Sequence, residues 1–329
     1  MLAFVLRRLF QAALVMLAVG FIAFGLFTYV GDPVNNLLGQ DATAEQRRQV
    51  AADLGLDRPF PMQYARFLSR AVRGEFGVSY RLGVPVADLL AERLPATLEL
   101  SCSAMALALL AGVPLGVYAG LHRRGRLARF LMAGSLLGIS LPTFLIGILL
   151  IFLFSVRLGW FPSFGRGEVV RLGFWSTGLL TQSGLRSLVL PAVTLALFQT
   201  TLIGRLVRAQ MLEVLRTDYI RFARARGLPD RVVHFRHALR NTLVPVVTVV
   251  GLQLGGIVAF AIITETVFQW PGLGLLFLQA VQFVDVPVMS AYLVLVALLF
   301  VSINLAVDLL YLAVDPRLRA GASLADRVA

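Results

Sequence analysis

The sequence contains no lysine; all thirty basic residues are arginine. A P-loop needs a lysine to reach the β- and γ-phosphates, and Schiff-base chemistry needs a lysine amine, so both are excluded from this chain. If ATP drives this protein, another subunit must hydrolyse it, and no cofactor is expected here. The single cysteine, Cys102, rules out an intrachain disulfide and reads as a small buried hydrophobe. Histidine is scarce too, with only His122, His234 and His237. His234 and His237 share a helical face, but no cysteine or third ligand lies near them, so a polar face is the plain reading and no metal site is expected. Charge as a whole makes up 15% of 329 residues, against about a quarter in a soluble chain.

That scarcity is uneven. A membrane-spanning helix needs about 20 mostly apolar residues. Leu9–Val30, Leu100–Leu121, Phe130–Val156 and Thr242–Thr264 qualify, Ser187–Gly204 is shorter but adequate, and a last span runs from about Val286 to Val314. Six spans are therefore expected. Arg7 and Arg8 before the first run resemble the start of a signal peptide. That run is longer than a signal core and no clear small-residue cleavage site follows, so it reads as an uncleaved helix.

The net charge of +12 is accounted for by the loops between spans, so no nucleic-acid partner is expected and the first partner is the lipid bilayer. Loop 122–129 carries four arginines and no acid, and the stretch 205–240 carries nine arginines, while 265–285 carries none. Arginine-rich short loops stay in the cytoplasm. The N-terminus, loop 122–129, loop 205–241 and the C-terminal tail are therefore expected inside. Segment 31–98, with eight arginines and eight acids, is expected outside, since long loops translocate largely regardless of charge. It reads as a small helical cap. Thr43 and Gln46 have capping-box spacing, Gly55 would stop that helix, Met62–Arg73 is a second amphipathic stretch ended by Gly74, and a short helix near Val86–Arg93 leads into the second span.

Glycines at four-residue spacing (Gly112, Gly116 and Gly120; Gly134 and Gly138; Gly251 and Gly255) suit close helix packing in lipid. Pro114, Pro142, Pro191 and Pro245 fall within or at the start of spans and remove backbone hydrogen bonds there. Gln199, Gln253, Asn304 and Asp308 are the polar residues inside spans. The first three are expected to line a path, and Asp308 sits near the cytoplasmic end, where solvation is as good an explanation. No relay of Asp, Glu and His crosses the spans, and no catalytic cluster is present, so the chain reads as a non-enzyme.

The loop between the fourth and fifth spans is the most informative. It reads Asp218-Tyr-Ile-Arg-Phe-Ala-Arg-Ala-Arg-Gly227-Leu-Pro-Asp and later Arg236-His-Ala-Leu-Arg-Asn241. This is a short basic helix, a glycine that lets the chain reverse, and a second helix entering the membrane. Such a surface suits docking to a partner protein or contact with anionic headgroups.

The segment resembles the signature loop of ABC importer permeases, in particular the peptide and nickel branch, whose version reads Ala-Arg-Ala-Lys-Gly. Here Arg226 stands in place of that lysine and keeps the charge, whereas Arg221, Phe222 and Ala223 replace the Glu-Ala-Ala of the broader family. Gly74–Gly77, Glu92–Glu99, Ser140–Thr143, Arg157–Trp160, Glu265–Gly274 and Asp315–Arg317 also resemble counterparts in the first permease of dipeptide and oligopeptide systems.

The resemblance implies an all-α polytopic permease of the type I ABC importer fold. It has six transmembrane helices and both termini in the cytoplasm, and it sits in the bacterial inner membrane. Residues 1–30 would hold the tail and first helix, 31–98 the external cap, and 99–329 a five-helix core with a coupling loop at 211–241. Tyr219, Ala223, Arg224, Ala225, Arg226 and Gly227 would meet an ATPase, and Glu265, Trp270, Pro271 and Gly272 would form an external loop motif. The implied partners are a second, distinct permease, two ATPase subunits that bind ATP and Mg, and an external binding protein that delivers a peptide or similar small solute.

Overall fold

A computed structural model describes residues 2–29, 43–54 and 59–314. The expected helix stop at Gly55 and the Asp315–Arg317 motif lie outside the described residues. The chain begins with α1 (Leu2–Tyr29), followed by two short helices, α2 (Ala44–Leu54) and α3 (Phe60–Val72). The long helix α4 (Val86–Leu121) comes next, and then a bent pair, α5 (Arg126–Ser140) and α6 (Thr143–Arg157). A two-stranded hairpin, β1 (Val170–Leu172) and β2 (Trp175–Thr177), precedes α7 (Gln182–Val214). After the short α8 (Asp218–Ala225) come α9 (Asp230–Phe260), α10 (Ile262–Val267), α11 (Leu273–Gln282) and α12 (Val286–Val314).

Among the described residues, α1, α4, α7, α9 and α12 are each long and apolar enough to cross a membrane. In hydrocarbon every backbone amide must be satisfied internally, so long uncharged runs can only be helical. The expected span over Phe130–Val156, with Pro142 inside it, takes the form of a bent pair. Its two arms, α5 and α6, meet at 106° around Pro142. Pro142 has no N–H to donate and disfavours helical geometry at Leu141, so the helix ends and restarts there, and the pair forms a sixth crossing only as a broken span. The short helix expected near Val86–Arg93 is instead the first two turns of α4, which runs unbroken through Pro95 and Pro114.

Helices α4 and α7 run parallel in the most extensive helix contact among the described residues. Gly112 lies against Thr200 and Ile203, Gly116 against Gly204 and Val207, and Gly120 against Met211. A Cβ on Gly116 would come within 2.6 Å of the Gly204 carbonyl, so only glycine admits this approach. Gly251 and Gly255 similarly receive Val307 and Phe300 of the antiparallel α12. The Gly134/Gly138 pair divides: Gly138 meets the Leu197 carbonyl of α7, but nothing lies within 4 Å of a Cβ on Gly134. Cys102, expected to be buried, faces outward from the chain.

At the opposite edge α1 lies antiparallel to α12, held by a hydrogen bond from Ser290 Oγ to the Ala23 carbonyl (3.0 Å). Helix α3 crosses α1, where Phe24 packs edge-on against Phe60 at 5.1 Å and the Tyr64 hydroxyl donates to the Leu17 carbonyl. The capping box of α2 is formed. Gln46 N–H donates to Thr43 Oγ1 (3.3 Å) and Thr43 N–H to Gln46 Oε1 (3.0 Å).

Candidate functional site

The residues singled out in the sequence fall into three main places, with Asn304 and Asp308 apart from them. The first is the loop that follows α7. Asp218 in the first turn and Arg224 in the last complement the dipole of α8. Gly227 reverses the chain with φ +76°, its N–H donating to the Arg224 carbonyl at 2.9 Å. A residue with a Cβ is strained at that φ, so the turn depends on glycine. Arg224 Nε then reaches across the turn to Asp230 at 3.9 Å.

One face of α8 is anchored. Ile220 is fully buried and Ala223 is only 7% exposed, both inside the core built by α4, α7 and α9. The expectation that Ala223 packs on a partner is corrected on this point, because its methyl group seats the loop on its own chain. The opposite face is open. Tyr219, Phe222, Arg224, Ala225 and Arg226 are exposed, and Arg226 lies over the Phe222 ring at 5.9 Å. The Tyr219 hydroxyl accepts a hydrogen bond from Asn241 Nδ2 (2.7 Å), which ties the exposed face to the start of α9's membrane part. Phe222, 65% exposed, stands on this open face too, although in the sequence it marked only a departure from the Glu-Ala-Ala pattern.

The second place is inside the helix bundle. Gln253 Nε2 on α9 donates to Gln199 Oε1 on α7 at 3.0 Å, and the pair lines a cavity of about 300 Å³ with Thr143, Phe198, Ile257 and Phe260. Buried amides in an apolar bundle must find partners, and here they find each other. Asn304 does not join them. It lies beside Arg8, Gln11 and Asp308 in a separate cavity of about 160 Å³ between α1 and α12. Asp308, for which the sequence left solvation and a transport role both open, forms an ion pair with Arg8 Nε at 2.9 Å. This pair joins residues from the two ends of the chain, and no spacing rule could have found it.

The third place is at the far end of α4, on the side away from α8. Glu265 is fully buried, and its carboxylate accepts from Thr97 Oγ1 (2.6 Å) and from the Leu275 N–H (2.9 Å). Burial pushes the Glu265 carboxyl above its usual range, opposed by those hydrogen bonds, by the Gly274 N–H and by the charge of Arg93. Trp270 is also fully buried and donates its Nε1–H to the Ala96 carbonyl (2.9 Å), while the Leu273 N–H donates to Thr97 Oγ1 (2.7 Å). Gly272 sits against the Glu265 carboxylate with no room for a Cβ. Glu265, Trp270 and Gly272 thus clamp the α10–α11 turn onto α4, while Pro271 lines a surface cavity.

Beside this clamp lies a buried ion pair not singled out in the sequence. Arg166 contacts the Glu99 carboxylate and also donates to Ser176 Oγ (3.1 Å) and to the Ser176 carbonyl (2.7 Å). Glu99 further accepts from the Gly178 N–H at 3.1 Å. The pair pins the β1–β2 hairpin to α4. Glu99 was visible as the end of the Glu92–Glu99 segment, but its partner lies in a loop without periodicity.

Comparison with known proteins agrees with this architecture. Residues 112–320 match the family described as binding-protein-dependent transport system inner membrane component, and residues 1–101 match the N-terminal region of such components. The dipeptide transport system permease protein DppB of Alkalihalophilus pseudofirmus is 35% identical, covering 97% of this chain and all of that protein. The glutathione transport system permease protein GsiC of Escherichia coli is 38% identical, covering 97% of this chain and 99% of that one. Among solved structures, a chain of the MetNI methionine ABC transporter in an inward-facing conformation superposes with TM-score 0.56 at 23% identity, covering 69% of this chain and 96% of that one. That likeness concerns the fold. With both regions matched and relatives aligned over nearly their full length, the chain belongs to the family of inner membrane components of binding-protein-dependent transport systems.

Proposed function

We propose that this chain is one of two transmembrane subunits of a bacterial ATP-driven importer of short peptides, and that the loop 211–241 is where an ATPase subunit docks. One observation carries the docking assignment. Helix α8 is fastened to the core by Ile220 and Ala223, while Tyr219, Phe222, Arg224 and Arg226 stand exposed on its other face. A headgroup-binding segment needs its arginines but has no use for a rigid turn with an aromatic exposed beyond it. The peptide assignment draws on relatives named for dipeptide and glutathione transport, and a distinct second permease and an external binding protein complete the assembly. ATP and Mg belong to the ATPase subunits, because a chain without lysine cannot build a P-loop. The arginine-rich loops and both termini face the cytoplasm in this reading, and α2, α3 and the hairpin face outward.

Gly227→Val tests the docking assignment. A β-branched residue at positive φ costs about 1–2 kcal/mol or more and distorts the turn, while the spans that direct insertion lie elsewhere. The expected outcome is normal membrane expression with reduced ATPase co-purification and loss of dipeptide uptake. Arg224→Gln combined with Arg226→Gln supplies the contrast. If that double variant is the more harmful and ATPase retention is unchanged in both, the loop is a lipid contact and the docking assignment fails.

A further inference from the structure

We infer that the cavity between the bent pair α5–α6 and α7 holds an acyl chain of an anionic phospholipid, whose phosphate is met by Arg126 and Arg205 at the cavity mouth. The cavity has a volume of about 510 Å³, and its walls include Leu115, Leu131, Gly134, Leu149, Leu153 and Leu197. Two hydroxyls on those walls are already engaged within the chain. Ser135 Oγ donates to the Met132 carbonyl (2.9 Å), and Thr201 Oγ1 donates to the Ser135 carbonyl (2.5 Å). Walls of this kind give a polar ligand little in exchange for its hydration, and hydrocarbon suits them. Nothing lies within 4 Å of a Cβ on Gly134, so this chain does not fill the space beside α5 itself.

The arginines identify the headgroup. Phe130, Leu131 and Gly134 line the cavity from α5, and Arg126 precedes Phe130 by four residues on that face. Leu197 and Thr201 line it from α7, and Arg205 follows Thr201 by four residues. Both arginines lie toward the end of the bundle where Gly120 meets Met211. Their side chains are exposed and make no hydrogen bond or ion pair among the described residues. Loop 122–129 adds Arg123, Arg124 and Arg129 and contains no acid. Basic pockets between spanning helices at the cytoplasmic face select anionic headgroups. A guanidinium grips phosphate with two parallel bonds while its apolar stem lies along hydrocarbon. A helix of a second membrane subunit is the other apolar occupant to weigh. Two turns of a helix about 10 Å across displace about 850 Å³, more than the cavity holds, and an apolar helix brings no charge to the arginines.

This inference rests on the orientation proposed above, which puts both arginines in the inner leaflet. The assembled importer is held in phosphatidylcholine nanodiscs with a trace of phosphatidylglycerol that carries a diazirine at the end of one acyl chain. After illumination, mass spectrometry maps the crosslinks. They are expected on 130–153 and 197–201, and unlabelled phosphatidylglycerol should compete them away where added phosphatidylcholine does not. Arg126→Gln with Arg205→Gln is expected to lower their yield about tenfold and leave crosslinks to α1 unchanged. Gly134→Leu, which projects a side chain into the cavity, should lower the yield similarly and covers the case in which the double variant fails to assemble. Equal competition by the two lipids, or unchanged yield in both variants, overturns the site. So does a disulfide from Gly134→Cys, in a Cys102→Ala background, to a cysteine on a second permease, because it makes the cavity a protein interface. Nanodisc leaflets are identical, so crosslinking does not depend on orientation. Labelling of a Gly125→Cys variant from outside intact cells, with the lipid crosslinks intact, overturns the orientation and spares the cavity.

Discussion

Arg8 and Asp308 are separated by nearly the whole sequence, yet they meet at 2.9 Å between α1 and α12. Their side chains are 42% and 25% exposed, so the pair is worth nearer the surface value than the buried one. Asp308→Ala should lower the thermal stability of the purified assembly by about 1 kcal/mol. Asp308→Asn should cost less, because an amide oxygen still accepts from Arg8. Equal losses in a melting experiment would show that charge rather than the hydrogen bond matters. Pairs of this kind were not legible in the sequence. The Thr43–Gln46 cap was, because its two hydrogen bonds join residues three apart, a distance that helical geometry alone sets. Gln199 and Gln253 were legible as interior polar groups, but their mutual bond depends on how α7 and α9 face each other.

Among the helices, glycine spacing marked the packing faces without saying which were used. Gly116→Val forces a side chain into the Gly204 carbonyl and Val207 and should destabilise the α4–α7 contact by about 1–3 kcal/mol or more, read as loss of folded protein on heating. Gly134→Ala adds a Cβ that meets nothing within 4 Å in this chain, so the stability of the isolated subunit should change by less than about 0.5 kcal/mol. Comparable losses for both would mean that the α4–α7 register is wrong. The same four-residue spacing therefore has two outcomes, decided by what lies opposite. The bend between α5 and α6 was also half legible: Pro142 announced a break, but a proline inside a span is compatible with a continuous helix as well, as Pro114 and Pro191 show within α4 and α7. Ala223 belongs here too. It sits in a motif read as outward-facing, and the helical period of α8 turns it inward beside Ile220.

Across the whole molecule, the alternation of helix directions places α8 and the hairpin at opposite ends, and the proposed topology, drawn from the arginine distribution, puts α8 inside. In a Cys102→Ala background, single cysteines at Gln49 and Gln269 should react with an impermeant thiol reagent on intact cells. One at Gly125 should react only after the membrane is opened. Labelling of the Gly125 position in intact cells would reverse or break the assigned topology. By itself the sequence determined that this is a helical membrane protein, that it cannot bind ATP through a P-loop, and where its principal loop turns. Those properties follow from composition, from runs long enough to span hydrocarbon, and from short-range backbone geometry at Gly227. Only the tertiary structure decided that Glu265 and Trp270 clamp a turn onto α4, and that Glu99 holds Arg166. The reason is physical. Buried polar groups must be satisfied, but in a bundle of apolar helices the partner is set by which faces meet, and many apolar faces are interchangeable in sequence until packing selects among them.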